Sequence, residues 1–317
     1  MSGPGHPTEA TARDRHLAEL AVIGVMVLWA GNFIVVKSAV ATLPPVGFTF
    51  LRFTLASATL FLLLRWREGS IGLPRRDLLA IMGFGALGFG VYQILWTTGL
   101  TTVPAGDSAL IIAATPVLVA LIAVVARTDV LTPTKLAGVL LSFAGVAAVI
   151  ASGPGLTLGG TIVGELITLG AALCWSIYTA YATPYVRRYS PLRATAWGSL
   201  AGTIVLAPLA AFQLSGVEVA SLTPDVLVAI LYSGFLAAGV SNVIVMNGVK
   251  VLGPTRTSAL QFLVPALAVA LAAVLLDEAI RPGQIVGGIV IVAGVLLTRW
   301  QRPGRATAPR TTKSAVR

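Results

Sequence analysis

The chain has 317 residues, 56% of them hydrophobic and 11% charged, with a formal charge of +10 and one cysteine, Cys174. Soluble domains use roughly 25% charged residues, so lipid rather than water must surround most of this chain, and no segment is left over for a soluble domain. A single cysteine excludes a disulfide framework and cysteine-rich metal chemistry; Cys174 reads as a small packing residue.

Residues 1–17 form a polar tail that holds both histidines, His6 and His16. The apolar run behind it exceeds a signal-peptide core, so no cleaved signal is expected. A helix needs about 20 apolar residues to cross about 30 Å of hydrocarbon. Runs of that size lie near 18–38, 46–64, 77–98, 103–125 and 134–151, then near 161–182, 192–212, 225–248, 255–275 and 283–299. Connectors carrying proline, glycine or charge separate them, as in Leu43-Pro44-Pro45, Ser152-Gly153-Pro154-Gly155 and Thr223-Pro224-Asp225. The pattern predicts an all-α membrane protein of ten transmembrane helices, with one five-helix unit over 18–152, a second over 160–299 and a basic tail over 300–317.

Residues 90–146 recur without a gap as 239–295. Gly90, Gly99, Pro116, Pro133, Gly138 and Gly145 return as Gly239, Gly248, Pro265, Pro282, Gly287 and Gly294, and Gln93 returns as the related amide Asn242. Glycine and proline set the path of the backbone, so their return at one offset reports a repeated fold. Five helices is an odd number, which turns the second repeat upside down relative to the first. Most of the 22 Lys and Arg residues then fall at the end shared by both termini, while Asp107, Glu218, Asp225, Asp277 and Glu278 lie in or beside the opposite loops. The positive-inside rule places both termini in the cytoplasm, in a cytoplasmic (inner) membrane. The basic tail suits contact with anionic lipid, and nucleic acid is not an expected partner. Inverted repeats around a midplane site are the arrangement of secondary transporters that work by alternating access.

Trp29-Ala-Gly-Asn32-Phe33 with Lys37, then Arg52-Phe53, Tyr92-Gln93, Gly99-Leu100 and Gly106-Asp107-Ser108-Ala109-Leu110 to Pro116, resemble an EamA-type domain of the drug/metabolite transporter superfamily. The second half repeats the pattern with Trp175, Asn247-Gly248, Leu252-Gly253, Ser258-Ala259-Leu260, Pro265, Asp277-Glu278 and Gly287 to Gly294. The copies differ where Asp129 answers Glu278 and Thr183 answers Lys37. The resemblance, over about residues 20–300, implies a ten-helix carrier of two EamA domains that exports small metabolites such as amino acids through a central cavity. Two other readings stay open here: a membrane enzyme acting on a lipid-linked group, for which Glu165, Asp107 and arginines would have to converge, and a channel or lipid scramblase.

Residue chemistry nominates the contacts. Phe89, Tyr92, Gln93 and Trp96 share an arc of about 100° on one helix, and Trp175, Tyr178, Tyr181 and Tyr185 an arc of about 120° on another. Trp29, Asn32 and Phe33 cluster on the first helix. Such faces suit small amphipathic ligands; the competing reading is anchoring at the lipid interface, to which Tyr185 and Trp300 are assigned. The candidate substrate-binding set is Trp29, Asn32, Lys37, Tyr92, Gln93, Trp96, Trp175, Tyr178, Asn242 and Gln261. Among charges inside the spans, where each costs about 2.5 to 3.5 kcal/mol, Glu165 is the candidate for proton coupling and Arg52 reads as structural. Asp107 reads as an N-cap facing the helix dipole.

Pro116 and Pro265 are matched hinge or packing prolines that free the carbonyls of Ile112 and Gln261, either for a ligand or for local rearrangement. Gly83-Phe-Gly85-Ala-Leu-Gly88 matches a dinucleotide-binding fingerprint, but an apolar run offers neither the strand nor the aqueous helix start that the motif needs; close helix packing is expected there instead. Without a Walker loop, a nucleophile elbow or paired metal-binding histidines, no catalysis, cofactor or metal is expected. The expected partners are a small-molecule substrate, the lipid bilayer and a coupling proton.

Overall fold

Pairs of a hydroxyl residue and a proline start three of the helices. In the computed structural model, which describes residues 12–126, 130–153, 161–218 and 221–299, Thr132, Ser190 and Thr223 accept the N–H of Lys135 (3.2 Å), Arg193 (3.0 Å) and Val226 (3.5 Å). The proline after each fills a position whose N–H would be orphaned anyway. Caps of this kind contribute about 1 kcal/mol each. Asp129, Trp300, residues 1–11 and the basic tail lie outside the described residues.

The helices are α1 (Ala12–Val40), α2 (Pro45–Glu68), α3 (Arg75–Leu100), α4 (Ala105–Val125), α5 (Pro133–Ala151), α6 (Thr161–Arg188), α7 (Pro191–Leu214), α8 (Pro224–Val249), α9 in two pieces (Pro254–Leu260 and Leu263–Leu275) and α10 (Pro282–Arg299). Among the described residues nine are long and apolar enough to cross a membrane, and Leu263–Leu275 is a shorter apolar helix. A turn at Gln261 and Phe262 keeps α9 in two pieces, and α4 carries the matching turn at Ala113 and Ala114.

Three features depart from the sequence reading. The first helix begins by Ala12, so His16 is helical; Asp14 in its first turn favours that start by opposing the helix dipole. The sixth runs on through Pro184 to Arg188, whose guanidinium pairs with Asp77 at 3.1 Å. Finally, α3 and α8 each contain a stretch of wider, π-type turns, at Ala86–Val91 and Leu231–Val240. Such turns often mark functional sites, and these two occupy corresponding places in the repeats.

The two halves are inverted. Close to Gly138 of α5 lie Gly294 and Thr298 of α10, whereas close to Gly145 lie Gly287 and Ile291. Chain numbers rise along one helix as they fall along the other, so the equivalent helices α5 and α10 run antiparallel. The same holds for α2 and α7, where Gly47 meets Leu214 and Ser57 meets Ser199 (2.8 Å). Around these pairs, α1 packs on α8 and α9, and its counterpart α6 packs on α3 and α4. The fingerprint-like glycines serve this packing: a Cβ on Gly85 would lie 2.4 Å from the Gly198 Cα, and one on Gly88 would meet the Tyr178 ring at 2.4 Å.

Candidate functional site

A cavity of about 370 Å³ lies between the repeats, within the size range of small-molecule sites. Repeat one lines it with Trp29, Asn32 and Phe33 of α1, Arg52 and Phe53 of α2, and Phe89, Tyr92, Gln93 and Trp96 of α3, together with the kinked middle of α4 at Ile112 to Pro116. Repeat two adds Trp175, Thr195, Ser199, Ser233, Ala237, Asn242, Gln261, Pro265 and Arg299. Arg52 and Trp96 are buried while Arg299 is exposed, so the cavity reaches the exterior at the end of the molecule where α1 begins and α10 finishes.

The rings form one continuous group. Tyr92 stacks against Trp96 with centroids 6.2 Å apart and meets Trp175 at 5.3 Å; Phe89 meets Trp175 at 5.4 Å and Tyr178 at 5.0 Å. Behind them a polar chain crosses four helices. The Arg52 guanidinium donates from Nη2 to Gln93 Oε1 (2.5 Å) and from Nη1 to Ser233 Oγ (2.8 Å), and the Ser233 hydroxyl donates to Asn32 Oδ1 (2.6 Å). Trp29 Nε1 donates to the Ala237 carbonyl (3.0 Å) within the wider turns of α8, and Asn242 Nδ2 donates to the Ala238 carbonyl (2.6 Å).

Of the sequence candidates, Trp29, Asn32, Tyr92, Gln93, Trp96, Trp175, Asn242 and Gln261 line this cavity, with Pro116 and Pro265. Tyr178 stands behind the lining, packed against Phe89 and Trp175. The ammonium of Lys37 instead donates to the Val103 carbonyl (2.5 Å) near the end of α3. Neither proline leaves a free carbonyl: Ile112 accepts the Thr115 hydroxyl (2.6 Å) and Gln261 accepts the Val264 N–H (3.1 Å). The matched kinks therefore shape the wall rather than offer acceptors. Sequence reasoning missed Ser233, Ser199, Thr195 and Arg299 as lining residues, and gave Arg52 only a structural part.

At the opposite end of the molecule, contacts tie one repeat to the other. Pro104 precedes α4 and supplies no side-chain cap, so the Glu278 carboxylate from the second repeat takes the N–H groups of Ala105 (2.8 Å) and Gly106 (3.2 Å). Asp107 is not the N-cap that its position suggested. Fully buried in the first turn, it pairs with the Arg281 guanidinium and accepts from Gln284 Nε2 (2.7 Å). Arg281 also donates to the Ser152 carbonyl (2.8 Å).

Glu165 stands beside this group. It is fully buried, and neither carboxylate oxygen has a hydrogen-bond partner among the described residues. A Cβ on Gly153 would lie 3.2 Å from Glu165 Oε1 and 3.7 Å from Arg281 Nη1, so the two groups are neighbours across Gly153 without forming an ion pair. Glu165, Asp107 and Arg281 thus do converge, but as a closed cluster outside the cavity lining.

A cavity between inverted membrane repeats, closed at one end by the cross-repeat Asp107–Arg281 pair and the Glu278 cap and reached from the other, is the architecture of a multi-pass membrane transporter. The model of the EamA-like transporter family matches residues 16–151 and 162–300, and the chain belongs to that family. It is 31% identical over 288 residues to a protein of Streptantibioticus cattleyicolor named "Probable terminal-alkyne amino-acid exporter", covering 90% of this chain and 94% of that one. It is 27% identical to a "Probable amino-acid metabolite efflux pump" of Salmonella typhimurium, covering 90% and 95%, and 29% identical to an "Uncharacterized transporter" of Archaeoglobus fulgidus, covering 86% and 94%. A solved crystal structure superposes with a TM-score of 0.63 at 21% identity, over 90% of this chain and 97% of that one, a likeness of fold. Membership of this family makes the protein a transporter and not an enzyme.

Proposed function

We propose that the protein is a secondary exporter of amino-acid-like metabolites, set in the cytoplasmic membrane with both termini inside and working by alternating access. The observation that carries the reading is the contrast between the two ends of one axis. At the mouth, marked by the exposed Arg299, the pairs that join the repeats are partly exposed ones at the rim, Arg188–Asp77, Arg193–Glu68 and Arg256–Glu19, whereas beyond Trp96 the fully buried Asp107 with Arg281 and the Glu278 cap join the repeats across the axis. Rocking the halves would break the second set and close the first. A permanently open pore would not be closed at one end by groups that tie the two repeats together. The aromatic group from Phe89 to Trp175 supplies broad apolar contact for varied side chains, and the names of the relatives from Streptantibioticus cattleyicolor and Salmonella typhimurium support amino acids as the class.

Glu165 is the proposed proton site. Its carboxylate is buried with no hydrogen-bond partner among the described residues, and its neighbour Arg281 is part of the seal. A proton gained or lost at Glu165 would therefore change the charge balance of the Asp107–Arg281 pair.

Counterflow tests the transport reading. Proteoliposomes loaded with unlabelled L-leucine, L-phenylalanine or L-threonine should accumulate the labelled form of at least one of them. No trans-stimulation with any of the three would contradict it.

A further inference from the structure

We propose that Arg52 is the carboxylate-binding residue of the cavity, and that the substrate is recognised by its carboxylate rather than by an amino group. The inference rests on the proposed transport function and narrows its substrate class. Arg52 is 2% exposed, yet its side chain reaches only neutral groups: Gln93 Oε1, Ser233 Oγ and the rings of Phe53 (4.9 Å), Trp96 (5.4 Å) and Phe48 (5.9 Å). Its Nε has no partner among the described residues. Every ion pair among the described residues belongs to other arginines.

A guanidinium with almost no exposed surface and no counter-charge among the described residues is an unfinished arrangement. Ring faces and neutral oxygens offset part of the cost, but the fork geometry of arginine is matched by a carboxylate, which accepts two parallel N–H bonds. Gln93 and Ser233 themselves line the cavity. A carboxylate that enters beside them can exchange a neutral acceptor for a charged one without moving a helix.

The remaining lining sets the other half of the specificity. Among the described residues the only charged groups around the cavity are Arg52 and Arg299, and both are positive. An ammonium group finds no carboxylate there and must rely on amides and hydroxyls such as Asn32 and Asn242. The cavity thus selects for the acid and tolerates loss of the amine, which extends the substrate class to 2-hydroxy acids with the same side chains. Binding also reaches the fold, because Arg52, Gln93, Ser233 and Asn32 lie on four helices of the two repeats.

The test compares the amide and the 2-hydroxy acid of each amino acid in the counterflow panel, so that phenylalaninamide and phenyllactate compete against labelled L-phenylalanine. In the wild-type protein the hydroxy acid should compete within about ten-fold of the amino acid and the amide about ten- to a hundred-fold more weakly, the range of a charged hydrogen-bonded contact. Arg52→Gln should erase the preference of acid over amide, while Arg52→Lys keeps part of it. An amide that competes as well as the amino acid, or an acid preference that survives in folded Arg52→Gln, overturns the proposal. Where Arg52→Gln fails to fold, the wild-type competition decides. Absence of counterflow with every amino acid would instead count against the transport reading; the shift of thermal midpoint that the same acids and amides give the purified protein then decides the role of Arg52, equal shifts overturning it.

Discussion

Ser142 donates its hydroxyl to the carbonyl of Ile291 at 3.2 Å, and Ile291 is the residue 149 positions on, the counterpart of Ser142 in the second repeat. A residue can touch its own repeat partner only near the axis that relates the two halves, so this bond marks where that axis passes between α5 and α10. The glycines on either side let the backbones approach: a Cβ on Gly145 would lie 2.7 Å from the Ile291 nitrogen and 2.8 Å from the Gly287 carbonyl. These are main-chain atoms, which cannot swing aside.

Gly145→Ala should therefore lower stability by about 1–3 kcal/mol, the range for overpacking a tight contact. Gly24, in the interior of α1, has open space where its Cβ would be. Gly24→Ala should leave stability unchanged or raise it by up to about 1 kcal/mol by restricting the unfolded chain. Thermal midpoints of the two purified variants against wild type check both, and an unchanged midpoint for Gly145→Ala would count against the axis contact.

Removing one partner of the buried seal leaves the other charge stranded. Arg281→Gln, which strands the fully buried Asp107, should cost about 3–5 kcal/mol; Asp107→Asn should cost less, because Arg281 is 19% exposed, and the double variant should cost clearly less than the sum, because no orphaned charge remains. Glu278→Ala should cost about 1–2 kcal/mol as a lost helix cap. Unfolding of the four variants measures each value, and additivity of Asp107→Asn with Arg281→Gln would show that the two do not act as a pair.

Trp175 bridges Phe89, Tyr92 and Tyr178 at the cavity wall, with centroids 5.2 to 5.4 Å apart. Trp175→Ala should reduce counterflow at least about ten-fold, the loss of a large aromatic contact, while the protein still purifies as a single folded species. Wild-type rates in that variant would remove Trp175 from the site.

Much of this was readable in the residues. Ten apolar runs, their proline connectors and the offset of the glycines led to inverted repeats, because those features report backbone path directly. The aromatic face of α3 was legible because its residues share one side of a helix. What stayed hidden depends on contacts between distant segments. Lys37 meets Val103 and Glu278 caps α4 across a sequence distance that no local period encodes. Asp107 looked like a cap because only its place in the first turn was visible, not Arg281 or Gln284 opposite it. Arg52 shows both sides of the matter: a charge inside an apolar run signalled that a partner was needed, but only the fold placed it in the cavity with neutral partners. The wider turns of α3 and α8 left no mark in composition.

Glu165→Gln removes the ionisable group and keeps the shape. The variant should retain exchange of labelled for unlabelled substrate, since exchange needs no net proton movement, and should lose the stimulation of efflux by an inwardly directed pH gradient. Efflux that still responds to the gradient as in wild type would assign the proton to another group.

The most direct test of alternating access reads both ends of the cavity at once. In a Cys174→Ser background, a single cysteine replaces either Ser108, buried beside Trp96 on the sealed side (3.1 Å), or Thr195, in the lining of the mouth. Labelling with a soluble maleimide is then compared with and without Asp107→Asn and Arg281→Gln. The account predicts that breaking the seal makes position 108 more reactive and position 195 less so. A rise at both positions together would mean a continuous pore, and would contradict the account.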